Sequence, residues 1–200
     1  TTAVRRLLTW EALACGGTVA VLPLEQVATA VGLPFVEWAV LLGAAIAVPL
    51  AVEAGLRGAK GDWPKRLAWG VAVFQPAAFA GALVSVLQPV GITSAMCASL
   101  WLVQTFLVAI LGALRLARRG PTPSCEAVID IGHIYLSIGG VWLVASRLGR
   151  PFFGFDPWIV ILTAAHFHFA GLAASTIAGP RIAKAARPRY HFRRLPAASQ

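Results

Sequence analysis

Charged residues are scarce in this chain: Asp, Glu, Lys and Arg make up only 12% of its 200 residues, while hydrophobic residues make up 58%. Soluble domains carry about 25% charged residues. Because the apolar residues also come in long uninterrupted stretches, the composition excludes an ordinary soluble domain. It predicts a protein that crosses a membrane several times.

Cysteine is scarce, and long polar loops and glycine-rich phosphate loops are lacking. The three cysteines are an odd number without Cys-x-x-Cys spacing, so neither a disulfide framework nor a cysteine metal site is expected. The longest predicted loop, 55–66, is a Gly/Pro-rich turn that is too short for a soluble domain. No nucleotide-binding motif is present, so no nucleotide-type redox cofactor is predicted.

The apolar stretches predict an all-α membrane bundle of six helices. A bilayer core is crossed by about 20 apolar residues in a helix. Six stretches are long enough: 8–31, 35–56, 67–88, 93–114, 124–146 and 157–179. We therefore expect one six-helix transmembrane domain over residues 1–180 and a basic juxtamembrane tail over 181–200. Asp156 and Pro157 predict a capped start for the sixth span.

The cations are distributed very unevenly about these spans. If the chain alternates sides, fifteen of the seventeen Lys and Arg residues lie on one side, and only Arg147 and Arg150 lie on the other. Such an excess marks the cytoplasmic side, so both termini are expected in the cytoplasm. This topology accounts for the net charge of +9 without a nucleic-acid partner. The tail is expected to lie on anionic lipid headgroups, and a homo-oligomer is left open.

Ionisable residues inside spans are costly and mark function by default. Counting about 1.5 Å per residue from the span ends places several polar side chains near one depth. They are Gln75, Gln104, His133, His166 and His168. Glu11 in the first span falls at the shallower level of Glu126 and Asp130.

Helical periodicity predicts which of these side chains face inward. Glu126, Asp130 and His133 follow one another at spacings of four and three, which puts them on one stripe that must face the bundle interior. Asp130 and His133 are expected to form a hydrogen bond. His166 and His168 are about 200° apart around their helix. His168 shares its face with small residues and is predicted to point into the site, with His166 at a helix contact or the site's wall.

The stretch from Glu126 to Gly171 resembles the YndJ-like family of bacterial integral membrane proteins. The similarity rests on Glu-x3-Asp-x2-His at 126–133, on Gly-x2-Trp-x2-Ala-Ser at 139–146, and on Leu-Thr-Ala-x-His-Phe-His-Phe-Ala-Gly at 162–171. Leu22-Pro23-Leu24 and Gln75-Pro76 are similar more loosely. Family members are often labelled as transporters, and many have further spans. If the motifs mark a site, the resemblance implies the same carboxylates and histidines.

The leading hypothesis is a membrane enzyme that isomerises or cyclises a lipophilic small molecule by proton transfer, for example by opening an epoxide or protonating an alkene. Asp130 or Glu126 would be the acid, with His133 and His168 as base or orienting partners. The remaining predicted site residues are His166 and Glu11, and for substrate contact Gln75, Gln104, Tyr135 and Trp101.

Other interpretations stay open. The protein could be a small-molecule transporter or carrier. It could also bind haem or a divalent metal at His133, His166 and His168, because Asp-x-x-His resembles the ligand spacing of bundle metal sites. For each glutamine taken singly, a hydrogen bond between helices is the favoured role.

Overall fold

The computed structural model describes residues 3–4, 6–9, 35–56, 63–119 and 125–185. Five helices in this part are long and apolar enough to cross a membrane. They match the second to sixth predicted spans. Of the first predicted span, 8–31, all residues after residue 9 lie outside the described part of the chain. The helices are α1 (Phe35–Leu56), α2 (Trp63–Leu87), α3 (Ile92–Arg119), α4 (Cys125–Leu148) and α5, which consists of Pro157–His166, Phe167–Ala173 and Ala174–Ala185.

Successive helices run antiparallel, so the bundle has two distinct ends. We call the end where α1 and α3 finish and α2 and α4 begin the basic end, because Lys65, Arg66, Arg118 and Arg119 lie there. The opposite end holds the starts of α1, α3 and α5. The predicted cap is present here: the Asp156 carboxylate accepts a 2.8 Å hydrogen bond from the backbone N–H of Trp158, and Pro157 occupies the first helical turn.

Helix α4 packs between α3 and α5 and also contacts α1. Close approach to α3 depends on Gly112, since a Cβ there would lie 2.6 Å from both the Asp130 carbonyl oxygen and the His133 Cβ. Small residues let membrane helices pack this closely and gain van der Waals contact. The polar stripe of α4 is thereby pressed against α3 rather than against lipid.

A buried arginine joins the helices at the opposite end. The guanidinium of Arg147 contacts Glu37 Oε1 at 2.6 Å, Ser94 Oγ at 2.9 Å and the carbonyl oxygen of Gln88 at 2.7 Å. It thus connects α4 to α1, α3 and the α2–α3 turn. Arg147 lies at the end of the bundle where the sequence predicts it, but its side chain is buried and not exposed in a loop.

Two helices contain a π-helical segment, Gly43–Ala47 in α1 and Phe167–Ala173 in α5. The two segments pack against each other, and a Cβ on Gly43 would lie 2.9 Å from the Cβ of His168. Single π turns within α-helices often occur at functional sites. They also change the register of every residue that follows, which simple periodicity does not anticipate.

Candidate functional site

The polar residues predicted at one depth separate into two groups. Asp130 and His133 lie near the basic end against α3. A Cβ on Gly139 would lie 3.0 Å from His168 Nδ1, so His168 is level with Gly139. Six residues of helix separate His133 from Gly139, which corresponds to about 9 Å along the axis. The structure therefore does not join the two buried histidines in one site.

The first group, which we call the basic-end cluster, contains Arg115, Arg119, Glu126, Asp130 and His133. Arg119 contacts both carboxylates, Glu126 Oε2 at 2.6 Å and Asp130 Oδ2 at 2.7 Å. The Nε of Arg115 lies 3.2 Å from Asp130 Oδ1. Asp130 is fully buried, so the two arginines supply the charge compensation that a carboxylate needs inside a membrane protein.

The sequence pattern indicates the carboxylates of this cluster but not its cations. Arg115 and Arg119 were counted only as evidence for orientation. Their spacing of four residues matches that of Glu126 and Asp130 on the antiparallel neighbour. This matching spacing could have predicted the pairing of the two arginines with the two carboxylates, because two i, i+4 pairs on adjacent helices can face each other.

His133 is completely buried, and its imidazole interacts with the backbone of Ala51. That contact falls outside good hydrogen-bonding geometry, so neither ring nitrogen has a well-formed hydrogen bond in the described part of the chain. The predicted Asp130–His133 hydrogen bond is not formed; the Asp130 oxygens face the arginines instead. Buried polar groups are nearly always hydrogen-bonded, so an exception calls for a functional or ligand-based explanation.

Arg115 shares this lack of hydrogen bonds. Its Nε and Nη1, together with Asp130 Oδ1 and both nitrogens of His133, are buried without a hydrogen-bond partner among the residues that the structure describes. Arg115 and His133 converge on one point of α1: a Cβ on Gly55 would contact Arg115 Nη1 and lie 2.7 Å from His133 Cε1. Five unsatisfied polar atoms are thus gathered in one place.

His168 contrasts with His133, because both of its nitrogens are used. The indole N–H of Trp101 donates to His168 Nε2 at 2.9 Å, and His168 Nδ1 lies 2.8 Å from the Ala164 carbonyl oxygen. Since the indole only donates and the carbonyl only accepts, the ring is neutral with its proton on Nδ1. The bond joins α3 to α5. This geometry favours a structural role for His168 and Trp101; their predicted roles in catalysis and substrate contact remain predictions.

His168 is fully buried, as predicted from its face of α5, but it lies apart from His133, so its role in a site stays a prediction. His166 is exposed on the outer surface, where its ring centroid lies 5.6 Å from that of Phe167, so it does not line the basic-end cluster. Tyr135 is also on the outer surface, 44% exposed. Glu11 lies outside the described residues. Over 35–56, 63–119 and 125–185, no three His, Cys, Asp or Glu side chains come close enough to hold a metal ion.

Gln75 donates a hydrogen bond to a backbone carbonyl group of α1 that a proline leaves without a backbone donor. In the π segment of α1 the N–H of Val48 bonds to the carbonyl of Gly43, five residues back. In the same register Ala44 would bond to residue 49, but Pro49 has no N–H. Gln75 Nε2 fills the position, donating to the Ala44 oxygen at 2.8 Å.

Gln104 continues this connection. Its Nε2 donates to Gln75 Oε1 at 2.7 Å and contacts the Val71 oxygen at 3.0 Å. The two amides therefore link α3, α2 and α1, as the structural interpretation of each glutamine anticipated. A role of either glutamine in substrate contact remains a prediction.

Five long apolar helices with buried ion pairs define the class of this protein: it is a multi-pass helical membrane protein. Residues 38–198 match the family described as YndJ-like protein, and the chain belongs to that family. The predicted resemblance is thus confirmed.

One curated relative is the "Uncharacterized membrane protein YndJ" of Bacillus subtilis (strain 168), which is 34% identical over 73 residues. That alignment covers 36% of this chain and 13% of the relative, so the chain spans only a small part of the relative's length. No solved structure matches the chain.

Proposed function

We propose that this protein is an enzyme of the bacterial cytoplasmic membrane that isomerises or cyclises a lipophilic small molecule by acid–base catalysis at the basic-end cluster. One observation carries the proposal: His133 is fully buried with neither ring nitrogen in a well-formed hydrogen bond within the described structure, beside a buried arginine and aspartate. Imidazole exchanges protons near neutral pH and is the commonest general acid or base.

The neighbouring residues have complementary roles in this proposal. His133 takes a proton from one carbon of the substrate and returns it to another. Negative charge that develops on a substrate oxygen is stabilised by the N–H groups of Arg115, because fixed donors are most effective where water is excluded. Asp130 is held by Arg115 and Arg119, so it is assigned the positioning of Arg115 rather than proton transfer.

The proposed reaction is balanced without an added oxidant or reductant. The proton removed by His133 is returned by the protonated imidazole, so substrate and product have the same elemental composition. Opening an epoxide to an alcohol with a new double bond obeys the same balance: the epoxide oxygen gains the proton that a neighbouring carbon loses. No cofactor is required for either reaction.

This balance gives the test a specific signature. Lipid extracts of cells with and without the protein should contain a pair of species of equal mass but different retention, whose abundances change in opposite directions. His133→Gln should abolish the exchange while the purified variant still folds. The matched control is His168→Gln, an equally buried histidine, which should lower thermal stability but retain turnover per folded molecule.

Two results would contradict the proposal. One is unchanged conversion in a folded His133→Gln variant. The other is a substrate that enters sealed vesicles containing the protein and is recovered chemically unaltered, because that result identifies a carrier, the second function that the sequence leaves open.

A further inference from the structure

We infer that the ligand of the basic-end cluster carries an oxyanion, a carboxylate or a phosphate, bound by Arg115 and His133. The inference rests on the proposed function only for the use of this site; binding itself is a separate property. Its starting point is the group of buried polar atoms that have no hydrogen bond in the part of the chain that the structure describes.

The unsatisfied atoms are mainly donors. A guanidinium only donates and stays charged in proteins, so Nη1 of Arg115 needs an acceptor, while Nε has only the poorly aligned Asp130 oxygen at 3.2 Å. An imidazole nitrogen carries a further N–H. Arg115 is only 5% exposed and His133 is 0% exposed, so bulk water does not readily meet this need. Two oxygens of one carboxylate or phosphate match the edge of a guanidinium, which makes an oxyanion the fitting ligand.

The two carboxylates of the basic-end cluster do not meet this demand. Glu126 and one oxygen of Asp130 are bound by Arg119 at 2.6 and 2.7 Å. The other Asp130 oxygen is 3.2 Å from Arg115 Nε but lacks hydrogen-bonding geometry. Arg119 is thus the structural cation of the cluster, and Arg115 is the cation whose donors remain available.

The position of the site suits the head of an amphiphile. Arg115 is one helical turn from Arg119, the last residue of α3, which corresponds to about 6 Å. An oxyanion bound there lies close to the basic end, where cations attract anions, while an attached hydrocarbon chain extends along apolar helices. A lipophilic substrate would then be held by its acidic group, with its carbon chain near His133.

The test measures the thermal stability of the full chain, purified in an uncharged detergent. The probes are dodecyl phosphate, laurate, inorganic phosphate and, as the uncharged comparison, dodecanol. Ligands that bind only the folded state raise the unfolding temperature with concentration. We expect saturable increases with dodecyl phosphate and laurate but not with dodecanol. An equal increase with inorganic phosphate would identify a free oxyanion as sufficient, with the same site residues.

Matched variants locate the binding. Arg115→Gln should raise the half-saturating concentration at least about tenfold, because charge-assisted hydrogen bonds are roughly twice as strong as neutral ones. Arg118→Gln removes an exposed cation of the same helix and should not change it. If Arg115→Gln does not fold, Arg115→Lys replaces it in the binding test. This variant keeps the charge but loses the planar guanidinium, so we expect weaker binding of the anion.

Equal stabilisation by dodecanol and dodecyl phosphate would overturn the inference, as would unchanged binding in folded Arg115→Gln or Arg115→Lys. These failures differ from failure of the proposed function. If binding is not selective for anions but His133→Gln still abolishes conversion, only the ligand assignment is lost. If anions bind through Arg115 while His133→Gln leaves conversion unchanged, only the catalytic proposal is lost.

Discussion

Replacing Gln75 by leucine should destabilise the bundle through one specific carbonyl group. The change removes the hydrogen bond to the Ala44 oxygen and the acceptor of Gln104 Nε2. Hydrogen bonds between membrane helices contribute about 0.6 to 2 kcal/mol each. Leaving a buried polar group unsatisfied costs about 1–3 kcal/mol. With two bonds affected, we expect a loss of about 2–3 kcal/mol in the free energy of unfolding.

A second substitution tests the cause of this loss. In Pro49→Ala, residue 49 gains an N–H that can bond to the Ala44 oxygen, so Gln75 is no longer needed there. The effects of Gln75→Leu and Pro49→Ala should then be non-additive. The double variant should lose about 1 kcal/mol less free energy of unfolding than the two single variants lose together.

The assay is unfolding of the purified protein in mixed micelles as the fraction of denaturing detergent rises, followed by loss of helical circular dichroism. The wild type, both single variants and the double variant complete the cycle. Additivity within about 0.3 kcal/mol, or a Gln75→Leu loss below about 0.5 kcal/mol, would refute the proposed relation between proline and glutamine.

Two further predictions concern the interhelical contacts. Arg147→Met should cost about 3–5 kcal/mol in unfolding free energy, because it leaves Glu37 buried and unpaired. The double variant with Glu37→Leu should recover part of this loss. No recovery of unfolding free energy would contradict the pairing of Arg147 with Glu37. Trp101→Phe should cost about 1–2 kcal/mol in the same assay, because it removes the indole donor to His168, and it should leave turnover per folded molecule unchanged. Loss of turnover without loss of stability would place Trp101 in the active site.

The spans were predictable because hydropathy is a local property of the chain. The predicted second span, 35–56, coincides with Phe35–Leu56, and the fifth and sixth start within one residue of their helices. The inward turn of His168 was predictable for a similar reason. Two residues of α-helix rotate a side chain by about 200°, so His166 and His168 fall on different faces of α5.

The common depth of the polar residues was not predictable by counting from span ends. Packing decides how far each helix is shifted along its axis, and the π segment of α5 changes the register around His168. The partners of charged groups are also non-local. Arg115 and Arg147 were counted as loop cations, although their side chains turn into the bundle to meet Asp130 and Glu37. Only the tertiary structure pairs them.

The difference between the two buried histidines is the central claim, and ring nitrogen NMR of protein labelled with ¹⁵N-histidine tests it most directly. Signals can be assigned by His133→Gln and His168→Gln. His168 should show a protonated Nδ1 and an unprotonated Nε2 that do not respond to dodecyl phosphate, because both nitrogens are occupied. The His133 signals should shift when dodecyl phosphate is added. A shift at His168 with none at His133 would contradict the account.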